Sequence, residues 1–298
     1  MHDTPQLGAS LYVPTTHCDL VAIAAAKKLA DLRSVIFCTE DAVSDADLPA
    51  ALANLGEALR HCQPRPGYHR FIRARNPAVL ETLLDMPGIT RIDGFVLPKI
   101  TALTLDAYVR PLVERGDAPV WIMPTLETRE VFRDADMQQL ARQLDAAAWR
   151  ERILCMRIGG NDLLSLLKMR RPRGRTIYET PIGQVIARLA TTFIPYGFAL
   201  SAPVFEHFGD VETLQREIQA DLNHGLTGKT AIHPRQVALI EKHYRVDPQD
   251  LDAAERILRQ DAPGVFELHE SMCEPATHRP WARLVVEAAR RYGKLTPA

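Results

Sequence analysis

The sequence predicts an α/β protein, a (β/α)8 TIM barrel followed by a C-terminal helical arm or lid. Three observations point there. Short apolar runs alternate with longer stretches of helical spacing, the pattern of parallel strands covered by helices. Eight such units fit into about 240 of the 298 residues, the size of one barrel. No glycine-rich dinucleotide fingerprint follows the first run, and a doubly wound sheet would more often stop at about five to seven strands.

The first strand is Ser10 to Val13 (SLYV), and Asp19 before LVAIAAAKKL starts a helix that runs to Asp31. The second strand, Ser34 to Cys38 (SVIFC), leads to a helix over Asp45 to Cys62. Strand three, His69 to Arg73, precedes Pro77 to Asp85, and strand four, Gly94 to Leu97, precedes Thr104 to Glu114. Strand five is Val120 to Met123, followed by helical spacing from Arg129 to Ala147. Strand six, Ile153 to Ile158, is followed by two helical stretches, Leu163 to Lys168 and Ile182 to Ile194. Strand seven, Gly197 to Leu200, a helix over Val211 to His224 opened by Asp210, and the short strand Thr230 to Ile232 complete the eight. The barrel domain is placed at 1–245 and a helical extension at 246–298, with helices at Asp250 to Gln260 and Trp281 to Tyr292. The stretch between them, Ala262 to Arg279, is too long for an ordinary loop, which suggests a lid over the barrel mouth or an arm on a neighbouring subunit.

Hydrophobic residues make up 46% and charged residues 24%, ordinary for a soluble globular chain. The net charge of -1 gives no reason to expect nucleic acid or an anionic membrane as partner. No apolar run reaches the roughly 18 residues of a membrane helix, and the N-terminus lacks signal-peptide character, so a cytoplasmic protein is expected. Five cysteines without C-x-x-C spacing suggest reduced thiols rather than a disulfide framework or a zinc site.

In barrel enzymes the chemistry sits at the C-terminal ends of the strands. Strand two is followed there by Thr39, Glu40 and Asp41, strand three ends in Arg73 with Arg75 and Asn76 next, and strand four runs into Pro98 and Lys99. Strands five and six lead to Glu127 and Asp162. Two carboxylates so placed can hold one Mg²⁺, whose remaining ligands are usually water and substrate oxygens. Each, taken singly, is also what a helix N-terminus attracts.

The order and spacing of several short motifs carry a resemblance over nearly the whole chain. They are LYVP (Leu11 to Pro14), TEDAV (Thr39 to Val43), RARN (Arg73 to Asn76), GFVLPK (Gly94 to Lys99), LET (Leu126 to Thr128), GGND (Gly159 to Asp162) and GKTAIHP (Gly228 to Pro234). The chain resembles the citrate lyase beta-subunit-like group of the HpcH/HpaI aldolase superfamily. That resemblance implies a metal-dependent carbon–carbon lyase with Mg²⁺, or another divalent ion, at Glu127 and Asp162. Arg73 would then bind a substrate carboxylate or keto oxygen, its planar fork suiting that geometry. Glu40 and Asp41 would orient Arg73 or metal-bound water. Lys99 either offers charge to substrate or pairs with Glu40 or Asp41, and Arg75 is a further cation at the substrate rim. Gly159 and Gly160 before a helix either let a substrate carboxylate approach backbone NH groups or simply permit the turn, and Gly160 and Asn161 are taken as substrate-binding. His233 is equally a hydrogen-bonded barrel residue or a catalytic one.

The chain departs from the family pattern in places. Members that use coenzyme A commonly carry a glycine after the first VP and a lysine about nine residues beyond the proline; here Thr15 and Ile23 stand there, so coenzyme A stays open. Arg129 beside Glu127 suggests a more anionic substrate or an internal ion pair. The family's D-G-x-M segment, which reaches a neighbouring active site, corresponds to His269, Glu270, Ser271 and Met272, so a base supplied in trans would be His269 or Glu270. The run Arg170 to Arg175 reads as an exposed, solvated loop. The function expected is Mg²⁺-assisted aldol or Claisen-type cleavage or condensation of a small keto or hydroxy acid, by a homo-oligomer that is a trimer or a multiple of one. Two alternatives stand beside it: a coenzyme A thioester lyase or hydrolase, and a barrel without catalysis that serves as a binding subunit.

Overall fold

Eight parallel strands form the wall: β1 (Ala9–Pro14), β2 (Ser34–Cys38), β3 (His69–Arg73), β4 (Gly94–Leu97), β5 (Trp121–Leu126), β6 (Met156–Ile158), β7 (Leu200–Ser201) and β8 (Lys229–Ala231). The computed structural model describes residues 5, 7–115 and 121–295. Neighbours pair in the order β7-β6-β5-β4-β3-β2-β1-β8. The ring is drawn together between β7 and β8 by a bridge from Ala202 to Lys229 and by three backbone hydrogen bonds, Thr227 N to Leu200 O, Ala202 N to Gly228 O and Thr230 N to Ala202 O. The helices are α1 (Leu20–Ala24), α2 (Leu48–His61), α3 (Pro77–Leu84), α4 (Leu105–Glu114), α5 (Asp134–Asp145), α6 (Gly160–Leu166), α7 (Ile182–Phe193), α8 (Val211–Asn223), α9 (Pro234–His243), α10 (Pro248–Leu258) and α11 (Pro275–Tyr292). Two units contain these elements, Met1–Val237 and Ala238–Ala298. Among the described residues no helix is long and apolar enough to cross a membrane.

Strands buried on both faces need apolar residues at nearly every position, and β2 is buried throughout. Inside the barrel, Ile36, Phe71, Val96, Met123 and Cys155 form an apolar floor. Side chains alternate along a strand with a period of two, so the residues two positions on face the same way, one layer nearer the mouth. From β2, β3, β5 and β6 those are Cys38, Arg73, Thr125 and Arg157, which line a cavity. The chain thus changes from apolar to polar within one layer of its core.

Several elements differ from expectation. Helix α1 stops at Ala24, and Ala26 and Leu29 take positive φ values of 52° and 54°. Side chains entering β3 take the carbonyls in this segment: Tyr68 donates to Ile23 O, Arg70 to Ala24 O and Arg65 to Ala26 O. Strand β5 runs on through Pro124 to Leu126, while Val120 lies outside the described residues. Strand β6 begins only at Met156, β7 is shifted to Leu200–Ser201, and α9 was not anticipated.

The Arg170–Arg175 run corrects its expectation at Arg171, which is buried. Its Nη1 donates to both oxygens of Glu217, at 2.9 and 2.8 Å, and its Nη2 to Val204 O. Glu217 in turn accepts from Lys229 Nζ at 3.0 Å, and Lys229 donates to Asp221 at 2.7 Å. Burial pushes the Asp221 carboxyl up to about 6, with Lys229 opposing.

In the second unit, α10 and α11 pack through Ala254, Ile257 and Ala282 with Cys273. A hairpin of β9 (Phe266–Leu268) and β10 (Ser271–Cys273) lies between them in sequence. Its two-residue turn is His269-Glu270, with φ values of 50° and 58°, a conformation usually left to Asn or Gly.

Candidate active site

Arg73, the last residue of β3, is the hub of the barrel mouth. Its Nη2 lies 2.6 Å from Glu40, 3.0 Å from Glu127 Oε1 and 3.3 Å from Asp41. Lys99 Nζ pairs with Glu40 and reaches Asp41 at 3.4 Å. The backbone of Lys99 sits at a φ of 54°, and its NH donates to Glu127 Oε1 at 2.8 Å. One residue thus places a cation on one acid and an amide on another.

Glu127 follows β5 directly and is 2% exposed. Gly159 makes room for it: a Cβ there would stand 2.4 Å from both Glu127 Cβ and Oε2. Gly160 is equally confined, its virtual Cβ 2.7 Å from Ile177 and Pro203. Asp162, in the first turn of α6, lines the same cavity of about 290 Å3 as Glu127, Asp41 and Arg73. Glu127 and Asp162 therefore share one chamber, at the same end of the barrel.

The electrostatics of the mouth are unbalanced. Four carboxylates, Glu40, Asp41, Glu127 and Asp162, face Arg73 and Lys99 at the mouth, and a third cation, Arg157, lines the same cavity. Burial pushes Glu127 up to about 7 against the pull of Arg73, with Asp162 and Glu40 adding to the rise. Asp162 is also raised, by burial and then by Asp41. Two hard oxygen donors held at a cost in proton affinity, with a surplus of negative charge around them, fit a divalent cation such as Mg²⁺. Among the described residues, three ligand-type side chains converge only at His17, Cys18 and Asp19. That group does not line the cavity of Glu127 and Asp162, and its Asp19 already pairs with Lys28.

Other sequence-derived candidates are placed as follows. Arg75 is turned away from the cavity: it pairs with Asp45 and donates to Val43 O at 2.9 Å, bracing the loop after β2. Arg129 is exposed and pairs with its neighbour Glu130. Gly160 and Asn161 line the cavity. His233 accepts from Arg235 N and stacks on Phe208 with ring centroids 4.6 Å apart, in a structural role. His269 hydrogen-bonds Asp252 at 2.8 Å within the second unit.

Sequence reasoning missed Arg157. It stands on β6 inside the barrel and lines the cavity, 2% exposed. The signal was present, since an arginine interrupts the apolar run ILCMRI. Thr125 was missed as well, being assigned to the loop after strand five.

A family model described as C-C_Bond_Lyase of the TIM-barrel fold matches residues 1–294. Among curated proteins, a (3S)-malyl-CoA thioesterase of Cereibacter sphaeroides is 26% identical over 230 residues, covering 75% of this chain and 73% of that one. Among solved structures, CitE from Mycobacterium tuberculosis in complex with magnesium, acetoacetate and coenzyme A superposes with a TM-score of 0.67. It is 23% identical, and the match covers 96% of this chain and 98% of that one. The lead(II) complex of malate synthase from Haloferax volcanii also gives 0.67, at 15% identity over 80% of this chain and 73% of that one.

Proposed function

Because the chain belongs to the C–C bond lyase family of the TIM-barrel fold, we propose that it is a Mg²⁺-dependent lyase. It makes or breaks a carbon–carbon bond, by aldol or Claisen-type chemistry, on a small keto or hydroxy acid. The observation that carries this reading is the shared chamber of Glu127 and Asp162 beside a guanidinium. Those two carboxylates would hold the ion. When bound, a divalent ion supplies a Lewis acid that stabilises enolate charge on a carbonyl oxygen.

The remaining work falls to the chain's own groups. Arg73 presents a cation fixed by three carboxylates, and its Nε has no partner among the described residues. It can orient a substrate carboxylate without reorganising during the reaction. Glu40 and Asp41 hold Arg73, and the Lys99 amide holds Glu127, so the constellation is set before substrate arrives. The proton carrier we assign is His269 of a neighbouring copy in a homo-oligomer, with Glu270 next to it. Its hydrogen bond to Asp252 is the arrangement that orients an imidazole for proton transfer.

Coenzyme A thioester hydrolysis is the second reading, favoured by the activity named for the Cereibacter relatives. Against it, Thr15 is buried with its hydroxyl donating to Cys38 O, and Ile23 is buried too, so neither meets a nucleotide. Assaying 3-hydroxy acids and their coenzyme A thioesters, with Mg²⁺ and with chelator, separates the readings. Mg²⁺-dependent release of a carbonyl product supports the lyase. Thiol release without a carbonyl product gives the hydrolase, and a protein that neither binds Mg²⁺ nor turns over any of these acids is a binding subunit.

A further inference from the structure

Arg157 is a buried cation without an anion. Its Nη2 donates to Thr230 Oγ1 at 2.7 Å, its Nη1 lies 3.8 Å from Met123 Sδ, the buried Cys155 thiol is a further hydrogen-bonded neighbour, and its guanidinium lies 5.5 Å from the centre of the Tyr12 ring. All of these partners are neutral, and a thioether is a weak acceptor. Among the described residues, no carboxylate pairs with it. Buried charges are normally paired, because taking an ion out of water is costly.

The neighbours of Arg157 are also unsatisfied. In the ladder it stands between Thr125 on β5 and Ser201 on β7. Both hydroxyls are buried and have no partner among the described residues. Thr125 and Arg157 line the cavity that Glu127 and Asp162 share. Arg73 lies 5.9 Å from the same Tyr12 ring, so the two guanidinium groups face one chamber from different strands.

We propose that Arg157, held in place by Thr230 and joined by the free hydroxyl of Thr125, forms a second anion site in the barrel, and that the substrate carries a second acidic group which it receives. One acid group is taken beside Arg73, the other across the same chamber, by Arg157 Nη1 and Thr125 Oγ1. The cavity, about 290 Å3, is at the small end for ligand sites and suits a compact diacid. This deepens the lyase reading and rests on it for the first acid group alone.

The test titrates the full-length protein by calorimetry with Mg²⁺ alone, then with succinate and propionate in the presence and absence of Mg²⁺. Wild type is expected to prefer the diacid by about 10- to 100-fold, the worth of one charged hydrogen bond. Arg157→Gln, which keeps a donor for Thr230, is expected to lose most of that preference while binding propionate and Mg²⁺ as before. Equal affinity of wild type for the two acids, or an undiminished preference in Arg157→Gln, overturns the proposal. The wild-type comparison stands even if the variant fails to fold. Failure of Mg²⁺ to bind, with the diacid preference intact, would sink the metal-dependent reading and leave this site in place.

Discussion

Glu127 is the residue whose state the whole mouth turns on. In an unfolded chain it gives up its proton near 4.5, and in the fold only at about 7. Between those values the folded, metal-free chain holds more protons than the unfolded one, so its stability falls as pH rises through that window. Mg²⁺ needs the ionised form, so its affinity should climb from pH about 6 to about 8, with proton release on binding below about 7. Calorimetry in two buffers of different ionisation enthalpy measures both. Glu127→Gln and Asp162→Asn should each abolish that binding. Gly159→Ala should weaken it, because the added methyl would stand 2.4 Å from both Cβ and Oε2 of Glu127 and displace that carboxylate. Arg73→Lys removes the planar fork and should lower kcat by roughly 100- to 1,000-fold, the usual effect of losing one preorganised contact. The opposite ordering, with Gly159→Ala harmless to Mg²⁺, would place the ion elsewhere.

Strand β8 contributes Lys229, clasped between Glu217 and Asp221 of α8 in complete burial. Lys229→Met should cost about 3–5 kcal/mol in chemical denaturation, since it strands Asp221 without its cation while Glu217 keeps Arg171. The double variant with Asp221→Asn should recover part of that loss. This network was not legible beforehand: Arg171 sits in a run of arginines that reads as solvated, and only the return of α8 beneath it supplies Glu217. The strands that were legible, such as β2 and β3, have an uninterrupted apolar centre, Val35 to Cys38 and Phe71 to Ile72, set between helical stretches. Strand β5 was cut short because proline usually ends a strand, yet Pro124 continues in register with Leu97. The missing residues hid Thr125 from the site. Arg157 was hidden differently, since its place inside the barrel depends on the phase of a strand only three residues long. The positions of Arg73, Glu127 and Asp162 were legible because the first ends a strand, the second follows one and the third opens the helix after β6, while the roles expected of them came from the family resemblance.

For the whole molecule, the proposal that His269 serves a neighbouring copy has a direct test. Mixtures of His269→Ala and Glu127→Gln, each inactive alone, should regain activity when subunits exchange, and light scattering should show a trimer or a multiple of one. No recovery in a mixed oligomer would return the proton carrier to the same chain. The barrel's closure has its own consequence. Between β7 and β8 the backbone is joined over only a few residues, while every other neighbouring pair has a continuous ladder of two or more registered positions. Deuterium uptake followed by mass spectrometry should therefore begin at the amides of 200–202 and 227–230, an opening that unzips the cylinder lengthwise before any helix melts.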